Sequence, residues 1–198
     1  MTAETRMKKV GVLALQGDFE AHRKALARAG AEGLPVRTAA GLEGVGGLVI
    51  PGGESSTMLK LLRAENLIEP LRRFAERRPI FGTCAGAILL AAEVSHPGQE
   101  SLGLMDIAVE RNAYGRQLHS RVARITPEEE FARRTRCGEL ETVFIRAPII
   151  RRVGEAARVL ARYQGAPVLV EQGLHMAATF HPELSVDERV HRLFLEKI

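Results

Sequence analysis

Apolar positions in the first half of this chain cluster in short continuous runs separated by amphipathic stretches. Lys9 to Gln16 (KVGVLALQ), Gly47 to Ile50 and Pro79 to Phe81 have the form of strands buried on both faces, as in a parallel sheet. Between the first two runs, Phe19, His22, Leu26 and Ala29 share one stripe of a predicted helix over Phe19 to Ala29, with Asp18 as N-cap and Gly30 as stop signal. Leu34 to Ala39 is expected to form a second strand, and Gly41 to Gly47 a glycine-rich loop with a short turn. Ser55 to Thr57 can cap a helix over Met58 to Ala64, and Leu67 to Arg77 and Ala87 to Ala92 supply two more helical segments. The order β-α-β-β-α-β-α predicts an α/β fold with a doubly wound, flavodoxin-like, mainly parallel sheet flanked by helices.

The second half changes character. Leu104 to Arg111, Gln117 to Ile125, Glu139 to Ala147, Arg158 to Tyr163, Pro167 to Glu171 and His175 to Phe180 are strand-like and separated by turn residues, which predicts an antiparallel hairpin extension of the sheet. Thr126 to Gly138 is expected to be a mobile loop, and Asp187 to Lys197 a closing helix with Val190, Leu193, Phe194 and Ile198 turned inward. At 198 residues, without repeats or a low-complexity linker, the chain is expected to be one domain, with residues 1–6 a disordered extension.

Composition narrows the function. The two cysteines, Cys84 and Cys137, form no C-x-x-C pair, which argues against zinc and against a disulfide framework and fits a reducing cytoplasm. No metal site and no cofactor are expected. No apolar run is long enough to span a membrane, and the polar Met1 to Lys9 carries no signal-peptide core. The net charge of +4 raises the question of nucleic acid. The arginine pairs, however, are scattered among acids such as Glu69, Glu76 and Glu155, with few aromatics to stack on bases, so no nucleic-acid partner is expected.

The chemistry centres on Gly82-Thr83-Cys84-Ala85-Gly86, between a strand and a helix. A sharp strand–turn–helix with small flanking residues is what an exposed nucleophile requires, and the helix N-terminus favours thiolate. A buried cysteine in an ordinary βα turn remains the alternative on this stretch alone. A cysteine nucleophile needs a base, itself oriented by a third group, and His181 with Glu183 in Phe180-His181-Pro182-Glu183 can supply both from the end of the last strand. Pro51-Gly52-Gly53-Glu54 offers backbone N–H groups after another strand, so Gly53 and Ala85 are the expected oxyanion donors. Arg111, in Arg111-Asn112-Ala113-Tyr114-Gly115-Arg116-Gln117, can grip a substrate carboxylate or can be a solvated surface arginine. Cys137 lacks a neighbouring base and is read as a bystander. His22, His96, His119, His175 and His191 show no metal-ligand spacing and are read as ordinary helix, loop or strand residues.

Taken together, G-T-C-A-G, P-G-G-E-S-S-T and F-H-P-E-L resemble the class I, triad-type glutamine amidotransferases. More narrowly, V-G-V-L-A-L-Q-G-D-F-E-A-H, R-N-A-Y-G-R-Q and F-H-P-E-L-S-V-D-E-R-V-H-R-L-F-L resemble the glutaminase subunits of pyridoxal 5′-phosphate synthase, from about Met7 to the C-terminus. The resemblance implies hydrolysis of L-glutamine to L-glutamate and ammonia, and transfer of the ammonia to a (β/α)₈-barrel synthase subunit in a heteromeric assembly. It implies a triad of Cys84, His181 and Glu183, with glutamine bound by Gly52, Gly53, Glu54, Arg111, Ile145 and Arg146. It also implies a glutaminase that is nearly silent until the synthase docks. Arg121 departs from the pattern, because the family commonly has phenylalanine after the serine that is Ser120 here. Two rival readings stand beside this one: a glutaminase for histidine or anthranilate synthesis, and a non-catalytic DJ-1-like cysteine protein.

Overall fold

The computed structural model describes residues 7–111 and 121–198. Its frame is a seven-stranded sheet built from β1 (Lys9–Leu13), β2 (Glu32–Val36), β3 (Gly47–Ile50), β4 (Ile80–Thr83), β10 (Arg158–Tyr163), β11 (Ala166–Gln172) and β12 (His175–Ala178). The order is β10-β11-β12-β4-β3-β1-β2, parallel from β12 to β2 and antiparallel over β10-β11-β12. The predicted doubly wound sheet with an antiparallel extension is therefore present. Pro35 is accommodated because β2 is an edge strand and needs no full set of ladder donors.

Alternation along the central strands feeds two cores, one on each face. Leu48, Ile50 and Ile80 join one cluster, together with residues of α2 (Ser55–Ala64), α3 (Ile68–Ala75) and α4 (Ala85–Leu90). Val49 and Phe81 face the other, with α1 (Phe19–Arg28) and α6 (Arg189–Leu195). There the Phe81 and Phe194 rings lie 5.6 Å apart, and α6 buries Val190, Leu193 and Phe194 as its stripe predicts, with Ile198 half-buried against the same cluster. Asp18 caps α1 as expected, its Oδ1 accepting from the Ala21 N–H at 3.1 Å.

Several expectations need correction. The Ala87 to Ala92 helix is α4, which starts at Ala85 and stops at Leu90, so that Ala91 and Ala92 open a strand, β5 (Ala91–Ser95). Alanine favours helix, but pairing with β6 (Met105–Glu110) overrides that preference. The span Glu139 to Ala147 divides into β8 (Leu140–Phe144) and a turn at Ile145 to Pro148 in which Arg146 has φ 44°. The next strand, β9 (Ile149–Val153), was not anticipated and pairs antiparallel with β6. Strands β5-β6-β9 thus make a separate sheet, and β7 (Arg121–Ile125) with β8 a ribbon, rather than one continuous extension. The predicted mobile loop contains α5 (Glu129–Arg134), anchored by the fully buried Phe131. The segment Asn112 to Ser120, including most of R-N-A-Y-G-R-Q and the start of the predicted Gln117 to Ile125 strand, lies outside the described residues, as do residues 1–6.

Because Phe194 is fully buried between α6 and the sheet, Phe194→Ala is expected to lower stability by about 3–5 kcal/mol, read from urea unfolding.

Candidate active site

The parallel strands present their carboxyl ends on one side. The chain runs from β1 out to β2 and returns to β3 on the opposite flank of β1, so the sheet switches direction between β1 and β3. Ligands gather in the crevice at such a point. Gln16 follows β1, Pro51 to Glu54 follow β3, Cys84 follows β4, and Thr179 to Glu183 follow β12. These segments surround a cavity of about 340 Å³ whose wall includes Cys84, Ala85, Gly53, Arg111, Arg146 and His181.

Cys84 has φ 49° and ψ −103°, a conformation that costs a non-glycine residue on the order of 1–3 kcal/mol. Backbone crowding on either side imposes it. A Cβ on Gly82 would lie 2.5 Å from the Gly86 carbonyl, and one on Gly86 would lie 2.1 Å from the Ile50 carbonyl oxygen. Only glycine lets α4 start this close to β3 and β4. The turn therefore has the form of a nucleophile elbow.

His181 and Glu183 meet Cys84 as the sequence predicts. His181 Nδ1 lies 2.7 Å from Glu183 Oε1, and its ring stands with Cys84 on the wall of the same cavity. Burial lowers the proton affinity of His181, but the bonds to Cys84 and Glu183 outweigh it and push its pKa up to about 10. Burial likewise pushes the Glu183 carboxyl up, but His22 and the His181 hydrogen bond reverse this and hold it below the ordinary range.

The other predicted site residues take different places. Gly52 is packed behind the cavity rather than on its wall. A Cβ there would stand 2.4 Å from His181 Cε1 and 3.4 Å from Cys84 Cβ. Gly53 lines the cavity with φ +156°, beside Ala85. The Glu54 carboxylate is occupied as the N-cap of α2, in place of the predicted Ser55 to Thr57 cap. It accepts from the Ser56 and Thr57 N–H groups at 3.1 and 2.7 Å and from both hydroxyls at 2.7 Å. These bonds hold its pKa down at about 2, with the Thr57 and Ser56 hydroxyls the largest causes. Arg111 is mostly buried and reaches back to Ser56 Oγ at 3.0 Å and Glu54 Oε1 at 3.3 Å, so it stands at the cavity already oriented. The Ile145 carbonyl lies 3.9 Å from Cys84 Sγ, and Arg146 follows on the cavity wall. Cys137 is exposed and remote from this arrangement.

Three participants were not singled out from sequence. Gln16 lines the cavity, and its Oε1 accepts from the Glu54 N–H at 3.0 Å. His22 and His191, taken above as ordinary helix residues, are fully buried behind Glu183. The signal for the pair was faint: an imidazole on each of two otherwise apolar helix stripes.

Comparison with known proteins fits this arrangement. Residues 12–198 match the SNO glutamine amidotransferase family. The chain belongs to that family. It is 61% identical over 192 residues to the pyridoxal 5′-phosphate synthase subunit PdxT of Solibacter usitatus, covering 97% of this chain and 100% of that one. It is 52% identical to the protein of the same name from Thermus thermophilus, covering 94% of this chain and 96% of that one. A crystal structure of a glutamine amidotransferase superposes with a TM-score of 0.86 at 48% identity, covering 95% of this chain and 97% of that one. Structural likeness extends to PurLQS from Thermotoga maritima, with a TM-score of 0.74 at 17% identity over 96% of this chain and 98% of that one, where it speaks for the fold alone.

Two expectations follow from the geometry. Gly52→Ala should reduce glutamine turnover by about a hundred-fold with a much smaller change in melting temperature, since the new methyl displaces the His181 ring. Loss of the α2 cap in Glu54→Ala should cost about 0.5–2 kcal/mol at neutral pH. Because the folded pKa of Glu54 is depressed, its stabilisation is fully present above the unfolded value of 4.5 and fades as pH falls through about 2. The stability gap between wild type and variant, measured by denaturation, should close over that window.

Proposed function

We propose that this chain is the glutaminase subunit of a pyridoxal 5′-phosphate synthase, hydrolysing L-glutamine to L-glutamate and ammonia. The observation that carries the reading is the strained Cys84 on the same cavity wall as a His181 that Glu183 holds at 2.7 Å. The relatives named as pyridoxal 5′-phosphate synthase subunits, 45–61% identical over nearly the full chain, favour this pathway over histidine or anthranilate synthesis.

In this reading His181 takes the Cys84 proton and the thiolate attacks the side-chain amide carbon of glutamine. The oxyanion of the tetrahedral intermediate is met by the N–H groups of Ala85 and Gly53. His181 returns its proton to the departing ammonia, leaving a γ-glutamyl thioester. It then deprotonates a water that hydrolyses this ester, regenerating the thiol. Glu183 fixes the tautomer of His181 and stabilises the imidazolium. Arg111 is placed to hold the substrate's α-carboxylate, with Gly52, Glu54, Ile145 and Arg146 shaping the remainder of the glutamine site.

The partner in this reading is a (β/α)₈-barrel synthase subunit that receives the ammonia, with no role for nucleic acid or membrane. Among the described residues no helix is long and apolar enough to cross a membrane, and the setting in this reading is the cytoplasm. Residues 1–198 act as one glutamine amidotransferase domain.

In the reconstituted complex, Cys84→Ala is expected to abolish glutamine hydrolysis while leaving synthesis of pyridoxal phosphate from external ammonium intact. Turnover of glutamine by that variant, followed by glutamate release, would defeat the mechanism.

A further inference from the structure

Behind the triad, on the side of Glu183 away from His181, lies a second pair of histidines. His22 comes from α1 and His191 from α6, and both are fully buried. His22 Nε2 lies 3.2 Å from Glu183 Oε2 and 3.0 Å from the Thr83 hydroxyl, while His22 Nδ1 lies 3.2 Å from His191 Nε2. Thr83 directly precedes Cys84, so the segment that carries Cys84 and the segment that carries both His181 and Glu183 reach the same imidazole. We propose that His22 and His191 are positioning residues for the triad: a buried, uncharged imidazole pair that fixes Glu183, and through it His181.

The hydrogen-bonding requirements assign a single polarity to this pair. Glu183 is acceptor-only when ionised, and its Oε1 already receives the His181 N–H. Its Oε2 is buried, and His22 Nε2 is the donor at hand. With the proton on Nε2 that N–H faces two acceptors, the Thr83 hydroxyl at 3.0 Å and Glu183 Oε2 at 3.2 Å, and the carboxylate oxygen makes no complete bond of its own. A proton on His22 Nε2 leaves Nδ1 as acceptor, so His191 Nε2 must donate. His191 Nδ1 then carries only a bare lone pair, and among the described residues it has no partner. The opposite tautomers would set the His22 lone pair against the carboxylate and bury an unsatisfied N–H on His191, which is costly.

The surroundings keep the pair neutral. Burial lowers the pKa of His22, with His181 adding to the effect, against the opposing pull of Glu183 and of Asp18 at the start of α1. Burial likewise pushes His191 down to about 3, helped by His22 and by Arg28 near the end of α1, against Glu183. The Phe81 ring meets His191 edge-on at 6.1 Å, closing the pocket with hydrocarbon. A neutral donor orients the carboxylate without adding a formal charge, so Glu183 remains the counter-charge of His181.

This inference rests on the glutaminase reading above, and two measurements separate their failures. The first uses protein labelled with ¹⁵N at its six histidines and follows imidazole nitrogen signals from about pH 5 to about pH 9. His22 and His191 should both stay neutral in the Nε2–H form across the range, and titration of either, or the Nδ1–H form at either, overturns the proposal whether or not the protein hydrolyses glutamine. The second measures glutaminase kinetics of the complex with the synthase subunit. His22→Leu should lower kcat by roughly ten- to a hundred-fold with little change in KM. The acidic limb of its pH profile should move upward, because Glu183 loses the nearby N–H dipole that favours its charged form. His22→Gln, whose side-chain amide can place an N–H near the position of Nε2, should recover most of both effects. Wild-type kcat and pH profile in folded His22→Leu, or His22→Gln no better than His22→Leu, defeats the proposal. If His22→Leu does not fold, the nitrogen signals of the wild type decide. A wild-type complex without glutaminase activity defeats the functional reading alone.

Discussion

The structure depends on the crowding of three backbones at one point. β3, β4 and the start of α4 approach so closely that Gly82 and Gly86 have no room for a Cβ, and Cys84 between them is forced to positive φ. Such a conformation survives only where the surroundings over-determine it. Here the sheet ladder on both sides of β4 and the buried apolar face of α4 supply that constraint. Every other part of the site is placed relative to this turn. His181 arrives on β12, the neighbour of β4 on one side, and the glycine loop on β3, the neighbour on the other.

The two sides of the site are built from different materials. On the Glu183 side, His181, Glu183, His22, His191 and Thr83 are all buried and linked through contacts of 2.7–3.2 Å, so their protonation follows from burial and from one another. On the substrate side, Gly53 borders open space, the Gln16 amide holds the next peptide N–H, and the Glu54 carboxylate is committed to α2. In the proposed reading, proton chemistry is thus set by a fixed interior, and substrate contact is left to a short loop pinned at Gln16 and at the helix cap.

How much of this could be read from sequence varied with the kind of signal. Buried parallel strands and the elbow were legible because their residue types admit few other uses: continuous apolar runs, and glycines around a cysteine. His181 and Glu183 were legible because two residues apart they carry a base and its orienter. β5 was not, since Ala91-Ala92 favours helix and only pairing with β6 makes it a strand. α5 was hidden because a single buried aromatic, Phe131, anchors an otherwise charged segment. The Glu54 cap was missed because a longer carboxylate took the role expected of the serines and threonine that follow it. The His22–His191 pair joins positions 169 residues apart, and no local pattern encodes such a meeting.

One junction has a mechanical consequence. α4 passes into β5 at Leu90–Ala91 with no intervening loop, and β5 runs alongside β6 until the Arg111 N–H bonds the Ser95 carbonyl at 2.9 Å. A strand of fixed rise therefore serves as a strut between the helix that starts after Cys84 and Arg111 on the cavity wall. The span between the two is gauged by secondary structure, so neither can drift without bending a hydrogen-bonded sheet.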